Sequence, residues 1–183
     1  MWSCNIGQLK KPTQLQKEDA MTENECFIPG GWFQFGGDPV SASSAARQQI
    51  WVDGFIMQKH PVTNREYIAF LNSLMVLGRE EEALKHVPRE RAGKAHERGA
   101  MIYGLTDEKT FFLCPDEDGD VWEMDYPVCF VDWFAAKAYA EWKSSQTHLP
   151  YRIPTEHEWE KAARGVDGRP YPWGSEFDPS WCC

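Results

Sequence analysis

The first clear pattern along the chain is an alternation of apolar and polar residues, which is typical of short β-strands. It occurs in "CFIPGGWFQFGG" at residues 26–37, where glycine pairs interrupt the apolar residues. It occurs again in "QQIWVDGFIMQKHPVT" at residues 48–63, which is rich in residues that favour strands. The first stretch predicts two short strands with a turn at Gly30 and Gly31, and the second predicts another strand.

The period becomes helical after Thr63. Thr63 precedes the periodic segment and Glu66 stands three residues later, which is the arrangement of a helix-capping box. The apolar residues of one helical face are Tyr67, Phe70, Leu71 and Leu74. This segment therefore predicts a helix that buries one face and ends near Gly78.

An alanine-rich segment after residue 132 carries a second helix signal. A short apolar run at residues 128–131 predicts a strand, and Asp132 then predicts the N-cap of a helix. The large apolar residues of that helix are Trp133, Phe134, Tyr139 and Trp142.

"RIPTEHEWEKAARG", at residues 152–165, contains a second capping box. Thr155 is followed three residues later by Glu158, and a glycine at residue 165 predicts the helix end. The predicted buried stripe of this helix consists of Trp159, Ala162 and Ala163.

The remaining segments predict connections. Residues 79–105 are charged and predict a surface excursion that is partly helical before Pro88, and residues 110–125 predict a hairpin that turns at Asp118 and Gly119. Residues 1–25 are polar and aperiodic, which predicts a flexible arm or linker, and residues 26–183 then form one domain. Short strands, isolated helices and long connections indicate an α+β fold with little regular secondary structure.

The charge and the apolar pattern exclude some functions and locations. Acidic residues number 28 against 19 basic ones, so the net charge of -9 argues against a nucleic-acid partner. No apolar run is long enough to span a membrane, and the N-terminus lacks the apolar core of a secretory signal. Together with the scattered cysteines, these features predict a cytoplasmic protein with reduced thiols and without a membrane partner.

The residues with metal-binding or catalytic potential do not form a known motif. Asp116, Asp118 and Asp120 alternate as cation ligands could, yet the following residues do not match a calcium-binding loop. The histidines at positions 60, 86, 96, 148 and 157 do not form the H-E-x-x-H pattern of a zinc protease. We therefore predict no catalytic, cofactor-binding or metal-binding residue in this chain.

Cysteines and aromatic residues leave alternatives open. The adjacent Cys182 and Cys183 could bind a soft metal or react, or they could be unrelated residues. Cys114 and Cys129 lie in apolar segments that predict buried, inert thiols. The aromatic, turn-rich residues 166–183 could form a recognition surface or simply pack.

Four stretches resemble, in this order, signature blocks of the formylglycine-generating enzyme family, also called sulfatase-modifying factors. They are "FIPGGWFQFGGDP" (27–39), "PVTNREYIAFLN" (61–72), "YPVCFVDWFAAKAYAEWKSS" (126–145) and "YRIPTEHEWEKAARGVDGRPYPWG" (151–174). The resemblance covers residues 26–181. It implies an irregular C-type-lectin-like fold, of which residues 26–183 would be the incomplete N-terminal part, and a structural role for the helix at 152–165.

The same resemblance implies two candidate functions. Complete relatives continue beyond the position of Trp181 with calcium-binding loops and, in active enzymes, a copper-binding cysteine pair, which Cys182 and Cys183 do not match. One candidate is therefore a non-catalytic scaffold or binding module for protein or peptide, within a larger or two-piece protein. The other is a fragment of an oxidase that converts a substrate cysteine to formylglycine with copper and oxygen.

The resemblance also implies partners and a setting for the chain. The expected partner is the remainder of the domain or another protein chain, and copper or calcium would belong to the complete domain. The charged insertion at residues 79–105 resembles bacterial members, which are often fused to protein kinase or other signalling domains. A purely structural role within such a signalling protein is a third candidate.

Overall fold

A computed structural model describes residues 21–38, 43–90, 99–115, 119–120 and 122–181. Its elements confirm a mixed α+β organisation. The strands are β1 (Glu25–Ile28), β2 (Gly31–Phe35), β3 (Gln48–Val52), β4 (Phe55–Gln58), β5 (Tyr103–Leu105) and β6 (Phe111–Leu113). The helices are α1 (Asn64–Val76), α2 (Glu80–His86), α3 (Trp133–Thr147) and α4 (Glu156–Arg164), and a 3-10 turn spans Pro179–Trp181.

The chain divides into two compact units. The first unit combines Met1–His60 with Pro154–Cys183, and the second unit is Pro61–Ile153. Most of the predicted arm at residues 1–25 lies outside the described residues, so the predicted boundary at residue 26 stays a prediction.

Two antiparallel strand pairs build the described sheet structure of the first unit. β1 pairs with β4 and β2 pairs with β3, so the single strand predicted in residues 48–63 is two strands. The chain passes from one pair to the other at Gly30 and Gly54, where a Cβ atom on Gly30 would lie 2.9 Å from the Gly54 nitrogen. A side chain does not fit this crossing, which explains a glycine here better than the predicted tight turn does.

Helix α4 packs on β2 and β3 through polar side chains. Lys161 is 3% exposed, and its ammonium group donates to the carbonyl oxygens of Gly31 at 3.0 Å and Val52 at 3.3 Å. These two residues are register partners at one end of the β2–β3 pair. One turn earlier, the ring of His157 meets the ring of Phe35 edge to face at 4.6 Å between centroids.

The buried stripe that the sequence predicted for α4 is wrong. Trp159 is 62% exposed, and Ala162 and Ala163 are half-buried, whereas Lys161 is buried. The physical reason is that the end of the strand pair presents carbonyl oxygens, which a lysine ammonium satisfies and an indole face does not. The capping box is confirmed, because the Thr155 side chain accepts from the Glu158 backbone and the Glu158 side chain returns to the cap.

Helix α1 forms the centre of the second unit. The predicted capping box of Thr63 and Glu66 is present, and the chain leaves the helix at Gly78 with a φ of +73°. The predicted apolar face is confirmed as well, since its four residues are all at most 2% exposed: Tyr67, Phe70, Leu71 and Leu74. The core around them includes buried residues of α2, α3, β5 and β6.

Two strand predictions in the second unit need correction. β6 pairs with β5, which precedes it, and Trp122, in the predicted return strand, is not in a strand. The predicted turn at Asp118 lies outside the described residues. The apolar run at residues 128–131 is also not a strand, because Phe130 adopts a φ of +59° that interrupts extended backbone.

Candidate functional site: two exposed aromatic surfaces

A group of aromatic side chains is exposed around the start of α3 in the second unit. Asp132 caps the helix by accepting from the Ala135 N–H at 2.7 Å, as predicted. The residues of this α3 surface, with their exposed fractions, are Tyr126 (48%), Phe130 (53%), Trp133 (59%) and Phe134 (65%). Further along α3, Tyr139 is buried and Trp142 packs against the core, so the helix exposes large aromatic residues at its start and buries others in its later turns.

The buried side chain of Asn64 holds the segment that leads to the α3 surface. Asn64 is 3% exposed and donates its side-chain amide to the Glu123 carbonyl at 2.8 Å. Its backbone N–H donates to the Tyr126 carbonyl at 2.9 Å, and its side-chain oxygen accepts from the Tyr103 hydroxyl at 2.6 Å. Burial raises the pKa of the Tyr103 phenol, so the phenol stays a hydrogen-bond donor over the physiological range.

Phe130 has a strained backbone within this surface. A φ of +59° is uncommon for a bulky residue and persists only where the surroundings enforce it. Its ring meets Trp122 edge to face at 6.1 Å between centroids, while more than half of the side chain stays exposed. An aromatic ring thus lies exposed at the surface and contacts Trp122 on one edge.

Charged side chains border the α3 surface. Arg65 and Asp125 form an exposed ion pair at 2.9 Å, in which the hydrogen bond raises the pKa of Arg65 and lowers that of Asp125. The ammonium of Lys137 lies 5.5 Å from the centre of the Trp133 ring and 3.7 Å from the Glu141 carboxylate. Such exposed pairs add little stability to the fold.

The first unit carries a second aromatic group in the segment after α4. Tyr171 and Trp173 stack at 5.3 Å with planes 4° apart, and Trp173 stacks on Trp181 at 6.4 Å. Phe177 lies against Tyr171 at 5.7 Å and is 60% exposed, and Trp181 is 66% exposed. These four residues, the aromatic stack, contact one another and remain partly open to solvent. The packing alternative is therefore met in part, and a recognition surface stays a prediction.

Arg164 links α4 to the aromatic stack. Its guanidinium donates to the carbonyl oxygens of Gly168 at 2.9 Å and Arg169 at 2.6 Å, just before the stack begins. It also pairs with Glu160 at 2.6 Å, and Glu160 accepts from the Gly36 N–H at 2.8 Å. The helix that looked purely structural in the sequence thus holds the approach to an exposed surface through its polar side chains.

The candidate chemical residues do not converge within the described part of the chain. No group of three or more His, Cys, Asp or Glu side chains there could hold a metal ion. Of the cysteines, Cys26 and Cys114 are half-buried, whereas Cys129 is exposed, so the predicted burial of Cys129 is wrong. Of the described histidines, His86 is buried, His157 is half-buried, and His60 and His148 are exposed.

Several residues that the sequence singled out lie outside the described ranges. They are Asp116, Asp118, His96, Cys4, Cys182 and Cys183. No helix in the described ranges is long and apolar enough to cross a membrane.

Known proteins resemble most of this chain. It is 31% identical over 178 residues to the bovine protein named "Inactive C-alpha-formylglycine-generating enzyme 2", which covers 91% of the chain and 57% of that protein. It is 28% identical over 165 residues to the formylglycine-generating enzyme of Thermomonospora curvata, and this match covers 83% of the chain and 52% of that enzyme. It is also 32% identical over 184 residues to Bacillus subtilis YfmG, and this match covers 93% of the chain and 32% of YfmG.

The chain therefore spans between about a third and six-tenths of the length of these relatives. The model of the sulfatase-modifying factor enzyme 1-like domain matches residues 11–182, nearly the whole chain. This match confirms the resemblance carried by the four sequence blocks, and the protein belongs to the formylglycine-generating enzyme, or sulfatase-modifying factor, family.

Proposed function

We propose that this chain is a scaffold of the formylglycine-generating enzyme type that binds polypeptide and has no catalytic activity of its own. The observation that carries the proposal is the exposure of the α3 surface and of the aromatic stack. Monomeric proteins rarely expose large contiguous apolar patches, and such patches commonly mark interaction sites. The bound polypeptide is the remainder of a longer protein or a second chain.

The form of the two surfaces supports this function. Aromatic side chains are enriched among the residues that dominate binding energy, because they bury a large area with few rotatable bonds. Asn64 holds the backbone next to the α3 surface, and Arg164 holds the backbone just before the aromatic stack, which lowers the cost of ordering these segments when a partner binds. A partner that covers either surface needs apolar side chains at the centre of its own surface.

The relatives favour a protein that works as part of a larger assembly. A bovine relative carries the word "Inactive" in its name, and Serine/threonine-protein kinase Pkn1 of Chlamydia trachomatis is 30% identical over 169 residues, with only 24% of its length matched. We propose a C-type-lectin-like fold, a cytoplasmic location, and a protein or peptide ligand, without nucleic acid or membrane. Copper or calcium would bind in other parts of a complete domain, and the proposal gives the described residues no metal-binding role.

Sedimentation velocity with an apolar fluorescent dye tests the binding surfaces. The full chain should self-associate and bind the dye, because its aromatic surfaces are uncovered. The double variant Trp133→Ser, Phe134→Ser should do both less. Val76→Ser is the matched control, since Val76 is 88% exposed but lies at the end of α1. A wild-type chain that sediments as a monomer and binds no dye contradicts the proposal.

The second candidate function is that of an oxidase fragment, which the likeness to enzymes named formylglycine-generating enzyme favours. A chimeric enzyme distinguishes the oxidase fragment from the non-catalytic scaffold. The chain replaces the matched stretch of the T. curvata enzyme, and mass spectrometry looks for formylglycine in a cysteine-containing peptide. We expect no product from the chain alone with copper and oxygen. Product from the chain alone overturns the non-catalytic proposal, and product from the chimera alone supports the fragment.

A further inference from the structure

His86 lies at the end of α2 in a position that is unusual for a titratable side chain. It is 8% exposed, and its ring lies 6.2 Å from the ring of Phe70 on α1. α2 packs against both α1 and α3. The other residues of this short helix that pack in the core are Ala83, which is buried, and Leu84, which is partly buried, so His86 is one of three inward-facing side chains of α2.

The backbone of His86 is also part of the core. Its carbonyl oxygen accepts a hydrogen bond from the buried Tyr67 hydroxyl at 2.9 Å. The Tyr67 ring in turn stacks on Tyr139 of α3 at 5.7 Å. A displacement of His86 would leave a buried phenol without its acceptor, which is costly in a low-dielectric interior.

The surroundings of the imidazole oppose its protonation. Burial lowers the pKa of His86 below the ordinary value of 6.5, and the charges of Lys85 and Arg79 act in the same direction. Glu82 on α2 and Asp132 at the start of α3 act in the opposite direction without cancelling the effect of burial. The same core holds the phenols of Tyr67 on α1, Tyr139 on α3 and Tyr103 on β5, and burial keeps all three neutral by raising their pKa.

We propose that His86 makes the packing of α2 against α1 and α3 sensitive to mild acid, so that α2 detaches first as the pH falls. A histidine whose pKa is lowered in the folded state contributes its full stability above 6.5, the ordinary value. That contribution is lost as the pH falls from 6.5 through the lower folded-state pKa. The packing of α2 is therefore weakened in the weakly acidic range and is at full strength at neutral pH.

Amide hydrogen exchange of the full chain, followed by mass spectrometry at about pH 7.5 and about pH 5.5, tests this proposal. After correction for intrinsic exchange, protection in α2 should fall about threefold or more at the lower pH. Protection in α1 should change less. His86→Gln, which cannot be protonated, should remove the change in α2. His148→Asn is the matched control, because His148 is exposed and Asn tolerates its φ of +57°.

A second variant guards against a simple folding defect. His86→Phe keeps a ring against Phe70 and cannot titrate, so its α2 protection should be independent of pH. The proposal is overturned if wild-type α2 protection does not change, or if it falls equally in His86→Gln and His86→Phe. The proposal is also overturned if the whole second unit loses protection and α2 does not lose it before α1. That result would indicate global acid unfolding.

Discussion

Helices α1 and α4 begin with the same chemistry but bury opposite kinds of side chain. Each has a threonine cap and a glutamate three residues later, and in each the reciprocal hydrogen bonds form. α1 then buries aromatic and aliphatic residues, whereas α4 buries Lys161 and exposes Trp159. A capping box therefore locates the start of a helix but says nothing about which face the fold will cover.

The difference follows from what each helix packs against. α1 meets side chains from other helices and from the β5–β6 pair, so an apolar face gains the most from leaving water. α4 meets the end of the β2–β3 pair, where carbonyl oxygens of Gly31 and Val52 need donors. Three predictions test this comparison.

The largest effect should come from the core face of α1. Leu71 is 0% exposed, so Leu71→Ala should lower the free energy of unfolding by about 3 kcal/mol through lost burial and a residual cavity. Urea unfolding followed by tryptophan fluorescence measures it. Val76→Ala on the same helix should change the free energy by less than about 0.5 kcal/mol, since its side chain is exposed. Equal effects would mean that α1 does not bury this face.

A smaller effect should follow from removing the buried donor of α4. Lys161→Met keeps the apolar stem but leaves two carbonyl oxygens without their ammonium donor, which should lower stability by about 2 kcal/mol. Trp159→Ala, two residues away, should stay within about 0.5 kcal/mol because the indole is exposed. The same urea titrations measure both variants. A larger loss for Trp159→Ala than for Lys161→Met would restore the apolar stripe predicted from the sequence.

The smallest and most similar effects should come from the two caps. Thr63→Ala and Thr155→Ala each remove one side-chain acceptor for a helical N–H, at a cost of about 1 kcal/mol. Thr→Ser at each position keeps the hydroxyl and serves as the control. Amide exchange in the first turn of each helix measures the change. Losses that differ severalfold would show that the two caps are not equivalent.

Local patterns predicted much of the helical structure. The caps of α1, α3 and α4 were correct because a cap depends on hydrogen bonds within three or four residues. The apolar face of α1 was correct because its period matches a helix that lies in a core. Four ordered blocks along the chain identified the family, and the match to residues 11–182 agrees with them.

Strand pairing and exposure could not be read from local patterns. Phe111–Leu113 pairs with the strand before it, because pairing is decided by which edges the fold brings together. The exposure of Trp133 and Phe134 is also non-local, since an indole or a phenyl ring gives no local sign that nothing will cover it. Both aromatic surfaces became visible only in the folded chain.

The sequence by itself determined the α+β class, the starts of three helices, the core face of α1 and the family. The tertiary structure alone decided that β2 and β3 present carbonyl oxygens to α4, that Lys161 satisfies them, and that Trp159 is left outside. The physical reason is range: capping and periodicity act over a few residues, whereas these hydrogen bonds join residues more than a hundred positions apart.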